Sequence, residues 1–261
     1  MKGRDEKVNS IVCTKQVPDT ESTIRIKSEG TGIAEEGLQY IANPYDEYAL
    51  EEALGLREKF GEGKVTVITV GPQRAEETMR YLFAMGADEG VLIRDDEPQK
   101  RDPFVIAQCL AEAIKGMEYD VIFCGKQAVD DDSAQVGAML AELLDIPQAT
   151  VVTKLEVADG KKSAVAHREI EGGLEIIEIQ LPAVITAQKG LNEPRLTSLL
   201  GIKRAMSKPI DIREMNIAEA KTKVISLERP EERPPGRILE GEDAGVVGEL
   251  VDALRNEAKI I

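Results

Sequence analysis

The sequence predicts a three-layer α/β/α fold on a mostly parallel sheet, carrying an antiparallel hairpin insert and a C-terminal extension. Three observations predict it. Short β-branched runs alternate with amphipathic helical stretches through the first half of the chain. The texture then changes to two-residue alternation between turn signals. Near the end, a proline- and charge-rich stretch sets apart one last short helix.

Taken in order, Val8 to Thr14 (VNSIVCT), Val65 to Val70 (VTVITV), Gly90 to Ile93 and Val121 to Cys124 read as buried strands. Between and after them lie four helices. Their apolar faces are Tyr45, Ala49, Ala53, Leu56 and Phe60; Ala75, Met79, Leu82 and Met85; Phe104, Ala107, Leu110, Ala111 and Ile114; and Val136, Met139, Leu140 and Leu143. Such alternation calls for parallel strands with helices on both sheet faces. Ligands in these sheets bind at the carboxyl ends of the strands, so the loops after Cys13, Val70 and Cys124 share one edge.

From Thr150 onward, TVVTKLEV, SAVAHREI and LEIIEIQL alternate apolar and polar around Asp159-Gly160 and Gly172-Gly173. This pattern predicts paired antiparallel hairpins over about residues 150–181. Ala183 to Ala187 (AVITA) reads as a buried strand rejoining the main sheet, and Asn192 to Lys208 mixes loop and helix signals. Residues 1–228 are thus expected to form one α/β domain. Residues 229–261 are expected to form a linker (RPEERPPGR, Arg229 to Arg237) and a partner-docking helix with Val246, Val247, Leu250, Val251 and Leu254 on its apolar side.

Composition narrows the function. Of 261 residues 42% are hydrophobic, enough for a core, yet aromatics are 3% and there is no Trp, which disfavours base- or sugar-stacking platforms. The excess of 48 acidic over 33 basic residues, net −15, disfavours nucleic acid and anionic membrane. The N-terminus is polar, and no apolar run approaches the ~20 residues that span a bilayer. Three cysteines, without C-x-x-C spacing, suit reduced thiols in a cytoplasm. His167 is the single histidine, which argues against zinc and against a Ser–His–Asp set. No catalytic set emerges, so a carrier or a subunit is expected rather than an enzyme.

The most informative segment is Gly125 to Gly137 (GKQAVDDDSAQVG), where a buried strand turns through glycine toward a helix start. Free N–H groups at such a start form a ready anion site. The segment has neither the G-x-x-x-x-G-K-[ST] nor the G-x-G-x-x-G spacing. Lys126, Gln127, Ser133, Gln135 and the amides up to Gly137 offer donors, while Asp130, Asp131 and Asp132 would repel phosphate. Two readings stand side by side. Either the aspartates cap the helix and complement its dipole, or amides and side chains hold an adenine nucleotide.

Seven segments together resemble the β subunit of electron transfer flavoproteins. They are KQVPD from Lys15, NPYDEYALEEAL from Asn43, AMGAD from Ala84, GKQAVDDDSAQVG from Gly125, REIEGGLE from Arg168, LPAVITA from Leu181 and LNEPR from Leu191. They keep the family's order and spacing from about Lys15 to Lys208.

The resemblance implies a heterodimer with an α subunit that carries most of the site of a redox FAD. Electrons would come from dehydrogenases, such as acyl-CoA dehydrogenases, and pass to a membrane quinone-linked oxidoreductase. It also implies a second adenine nucleotide in this subunit, structural AMP in most members and a second FAD in electron-bifurcating ones. Carried over by position, its pocket comprises Cys13, Asn43, Pro44, Tyr45, Asp46, Val70, Lys126, Gln127, Ala128, Val129, Asp130, Asp131, Asp132, Ser133, Ala134, Gln135, Val136 and Gly137. Asn43-Pro44 also suits an ordinary helix opening. Residues 191–203 match the partner-recognition loop, with Leu199 as its exposed anchor, and Glu169 matches a glutamate that restrains the mobile flavin domain. Thr20 stands where some members place a tyrosine near the flavin, so that contact is not expected here.

Bifurcating members have Asp-Gly-Asp-Thr where this chain has Asp130-Asp131-Asp132-Ser133, although Ala134 to Gly137 looks like their type. The bulk and charge of Asp131 favour AMP over a second FAD. The fold alone would also allow a stand-alone adenine-nucleotide-binding regulatory protein. An ATP-pyrophosphatase would need a Ser-Gly-rich loop after the first strand, where Thr14 to Val17 (TKQV) stands.

Overall fold

β-Branched side chains fit a pleated, buried surface, and the runs rich in them form the centre of this molecule. A computed structural model describes residues 7–231, 235–241 and 244–261. One compact unit reaches to Ser226 and the other runs from Leu227 to Ile261. The first opens with β1 (Ser10–Thr14), β2 (Gln16–Pro18), β3 (Tyr40–Ala42), α1 (Pro44–Phe60), β4 (Val65–Gly71), α2 (Ala75–Met85), β5 (Glu89–Arg94) and α3 (Pro103–Ile114). It continues with β6 (Val121–Gly125), α4 (Val136–Leu144), β7 (Gln148–Val157), β8 (Ser163–Ile170), β9 (Gly173–Gln180), β10 (Ala183–Ala187), α5 (Leu199–Ala205) and β11 (Ile210–Glu214). The second unit holds α6 (Ala244–Asp252).

Nine strands form one sheet in the order β11-β5-β4-β1-β6-β10-β7-β8-β9. Neighbours are parallel from β11 to β7 and antiparallel from β7 to β9. Val12, Val67, Phe123 and Ile185 meet Leu50 and Leu54 of α1 and Met79 and Leu82 of α2 on one face. Ile11, Ile68, Ile122 and Val184 meet Leu110 and Ile114 of α3 and Leu140 of α4 on the other. Because both faces are covered, these strands read as continuous apolar runs rather than alternating ones. The three-layer expectation holds, and Ala183–Ala187 rejoins the sheet between β6 and β10's other neighbour, β7.

Three features go beyond the sequence expectation. The antiparallel hairpin strands extend the main sheet: β7 pairs with β10 through Gln148, Ala149 and Val152 and with β8 from Val152 onward. The short antiparallel pair β2 and β3 is too brief to show a period. β11 (IDIRE) is a charged edge strand, and edge strands carry charge as protection against further pairing, which hides them from apolar-run searches.

Cys13, Cys109 and Cys124 are all buried free thiols, and His167 is half-buried in β8. Among the described residues no helix is long and apolar enough to cross a membrane, and no three His, Cys, Asp or Glu side chains gather to hold a metal. Of the proline-rich segment 229–237, residues 232–234 lie outside the described residues.

Candidate functional site

The chain leaves β1 for α1 on one sheet face and leaves the adjacent β6 for α4 on the opposite face. Such a divergence opens a crevice at the carboxyl ends of the two strands. Cys13 and Cys124 face each other across the parallel register at its floor. Val70, half-buried near the end of β4, stands on the far side of β1 from β6.

Asn43 and Asp46 build the support of this crevice rather than its surface. Asn43 is 1% exposed and Asp46 4%. Asn43 occupies the position before α1 without capping it. Instead its Nδ2 donates to Asp46 Oδ1 (2.9 Å) and to the Gln127 carbonyl (2.9 Å), while its Oδ1 accepts from the Val129 amide (3.2 Å). Asp46 in turn accepts the amides of Lys15 (2.7 Å) and Gly125 (3.0 Å). One buried pair therefore ties β1, α1, β6 and the turn after β6 together. Burial pushes the Asp46 carboxyl up to about 7, against the opposing pull of the Lys15, Asn43 and Gly125 donors. Pro44 sits in the first turn of α1, where its missing N–H costs nothing.

Gly125 is required by this closeness. A Cβ there would lie 2.4 Å from Asp46 Oδ1 and 2.7 Å from Tyr45 Cβ. Gly137 is required for a similar reason, since a Cβ would meet Thr186 Cγ2 at 2.7 Å where α4 packs on β10.

The three aspartates do not cap α4, so the capping expectation is corrected. The helix starts only at Val136, preceded by Gln135, and no side chain caps it. Asp130 and Asp131 turn to Lys15, whose Nζ lies 2.7 and 3.0 Å from them. Asp131 also accepts the Ser133 amide (3.0 Å), and Asp132 accepts from Gln127 Nε2 (2.5 Å). The Asp132 amide closes the turn on the Ala128 carbonyl (2.9 Å). Burial works against the Lys15 charge, but Asp130 and Asp131 outweigh it and hold its amine above the ordinary range. Asp131 is held low by Lys15 and Ser133 in spite of its own burial.

Asp132 and Ala134 adopt positive φ (51° and 52°), which swings the chain into α4. Asp131 does not adopt a positive φ, so its backbone makes no demand for glycine. The result is a helix start with free amides, beside exposed Ala134 and Gln135, from which the neighbouring carboxylates have been drawn away. Lys126 lies next to it, its Nζ 5.0 Å from the Tyr45 ring centre. A cleft of about 480 Å³, lined by Lys126, Ala134, Thr150, Arg168 and Thr186, adjoins the turn.

Residues 30–220 match the family model described as the electron transfer flavoprotein domain. The chain belongs to the electron transfer flavoprotein family. It is 44% identical to the electron transfer flavoprotein subunit beta of Bacillus subtilis, over 97% of this chain and 100% of that one. It is 41% identical to the subunit beta of Thermoanaerobacterium thermosaccharolyticum (95% and 98% covered) and 37% identical to that of mouse (88% and 91% covered). As an electron transfer flavoprotein β chain it is a member of a family of electron carriers.

Two further residues singled out in the sequence lie away from the crevice. Glu169 is exposed on β8, where it accepts from Gln188 Nε2 (3.0 Å). Leu199 opens α5 and is 88% exposed, with Ser198 capping the helix through the Gly201 amide (3.0 Å). Leu196, Leu200, Ile202 and Met206 are exposed around it. Sequence reasoning overlooked Lys15 as a partner of the aspartates, although its place just past a strand at the ligand edge was a usable signal. It also overlooked the role of Arg195, which binds Glu51 and Glu58 of α1.

Proposed function

We propose that this chain is the β half of a heterodimeric electron transfer flavoprotein, holding AMP in a structural role at the β1–β6 crevice. The observation that carries the nucleotide reading is the uncapped start of α4, whose neighbouring carboxylates are engaged by Lys15 and Gln127. A phosphate would meet the amides from Ala134 to Gly137, with Gln135 beside them. The adenosine would lie toward Cys13 and Val70. Asn43 and Asp46, buried and engaged with protein hydrogen-bond partners, would shape the site without touching the ligand.

An α subunit would complete the site of the redox FAD, which supplies the electron-carrying chemistry when bound. Electrons would arrive from dehydrogenases, such as acyl-CoA dehydrogenases, docking on the apolar surface around Leu199. They would leave to a membrane quinone-linked oxidoreductase. Glu169 would face the flavin-bearing part of the partner, and the working place would be the cytoplasm.

The choice of AMP over a second FAD rests on the Lys15 clasp. Asp131 closes the turn through Lys15 and Ser133, and its side chain fills space that a glycine would leave open. Lys15 also offsets the Asp131 charge, so bulk and closure support AMP more than electrostatic repulsion does. Purified heterodimer, denatured without added flavin and resolved by chromatography, should release one FAD and one AMP. Two FAD per heterodimer would replace AMP with a second flavin, and release of no adenine nucleotide from this subunit would remove the crevice reading.

A further inference from the structure

We propose that Arg195 is a positioning residue: by clamping its segment to α1, it holds the exposed apolar surface around Leu199 ready for a partner. The inference rests on the reading of that surface as the donor-docking site. Residues 191–198 have neither helix nor strand to stiffen them. Left alone, such a segment would fluctuate and its leucines would seek cover.

The clamp is specific. Arg195 Nε and Nη2 grip the two oxygens of Glu51, each at 2.8 Å, and Nη1 reaches Glu58 at 2.7 Å. The Arg195 amide also donates to Glu51 (3.1 Å). Glu51 and Glu58 stand two turns apart on α1, on one side of it. Three residues earlier, Asn192 Nδ2 donates to the Tyr48 carbonyl and to Glu52, both at 3.0 Å. A planar fork on a carboxylate fixes direction as well as distance, which a lysine ammonium cannot do.

The other end of the surface is fastened separately. α5 presses so closely on α2 that a Cβ at Gly201 would sit 2.6 Å from the Ala84 carbonyl. Arg80 Nη1 donates to the Ala205 carbonyl at 2.9 Å. Along this segment Leu196, Leu199 and Met206 are 94%, 88% and 71% exposed. Apolar side chains held in the open on a backbone fastened at Arg195 and at α5 are arranged for association: their backbone is ordered before a partner arrives, which removes part of the ordering cost of binding.

The test uses the purified heterodimer and steady-state reduction by a donor dehydrogenase, with Leu199→Ala as the benchmark. Arg195→Gln should raise the KM for the carrier at least about tenfold, as loss of a docking hot spot would, with kcat and bound flavin unchanged. Arg195→Lys should recover only part of the loss, because it keeps the charge without the fork. Glu51→Gln should reproduce the loss, and the double variant with Arg195→Gln should be no worse than either single one. If Arg195→Gln lowers thermal stability sharply, Glu58→Gln, which removes one outer contact, carries the same KM test, and faster tryptic cleavage at Lys203 and Arg204 in that variant supports the proposal. Leu199→Ala impaired with Arg195→Gln normal overturns the positioning role and leaves the docking surface standing. Both variants normal overturns the proposal together with the docking reading.

Discussion

Substituting Gly125 by alanine tests whether the end of β6 and the first turn of α1 are as closely fitted as the crevice requires. The new Cβ would fall 2.4 Å from Asp46 Oδ1, 2.7 Å from Tyr45 Cβ and 2.9 Å from the Tyr45 carbonyl carbon. Two of those atoms sit on or next to helix backbone and cannot rotate away. The clash must be relieved by moving α1 or the turn, and overpacking of this kind costs about 1–3 kcal/mol. Moving either lengthens the 3.0 Å bond from the Gly125 amide to Asp46, and leaving that buried pair unsatisfied costs roughly 1–3 kcal/mol. A total destabilisation of roughly 3–5 kcal/mol is expected, with nucleotide lost on gel filtration. Gly160→Ala is the control, since nothing lies within 4 Å of its Cβ, and it should stay within about 0.5 kcal/mol of the parent. Denaturant unfolding of the heterodimer and nucleotide content of the same samples give the answer. A Gly125→Ala protein as stable and as well loaded as Gly160→Ala would refute the close-fit account.

Two further outcomes are expected. Asp46 titrates near 7 in the fold against 3.8 for an ordinary carboxyl, so the native state binds the proton more readily between those values, and the stability this group contributes is present at the acid end and lost as pH rises through about 7. The stability difference between parent and Asp46→Asn, measured by unfolding at a series of pH values, should therefore fall across that window and level off above it; a difference that rises with pH would show that the amide donors, not burial, set the titration. Deleting everything after Arg237 removes α6 with Val246, Val247, Leu250 and Val251, and Leu254 just beyond it, each contributing about 1.5–3 kcal/mol if fully buried on a partner; heterodimer affinity by titration should weaken, and an unchanged value would end the docking role of this segment.

Legibility in the sequence followed the strength of the local signal. The central strands and their four helices were readable because double-sided burial writes long apolar runs and 3.6-residue faces into the chain. β11 was not, because Ile210–Glu214 alternates isoleucine with charge at a solvent-facing edge. The hairpin strands were readable as strands but not as members of the main sheet, since β7 changes partner midway at Val152 and nothing local records which strand lies beside it. At the site, residue types were legible and their jobs were not. Asp130 and Asp131 looked like helix caps until Lys15, more than a hundred residues earlier, proved to hold them. Asn43 and Asp46 were legible as site residues, but their part as a buried joint between β1, α1, β6 and the turn after β6 was not.

That joint and the clamp on Arg195 share one helix. At its start α1 holds the turn after β6 through Asn43 and Asp46. Beginning only five residues later, Glu51, Glu52 and Glu58 hold the segment that presents Leu199. Ala49, Leu50, Ala53 and Leu54 press the same helix into the core, so it cannot tilt at one end without shifting the other. A rise of about 1.5 Å per residue puts Asp46 and Glu51 within about 8 Å along the axis. The crevice and the exposed apolar surface are thus supported by one rigid element, and where Gly125→Ala is relieved by displacing the first turn of α1, the shift is felt where Leu199 stands.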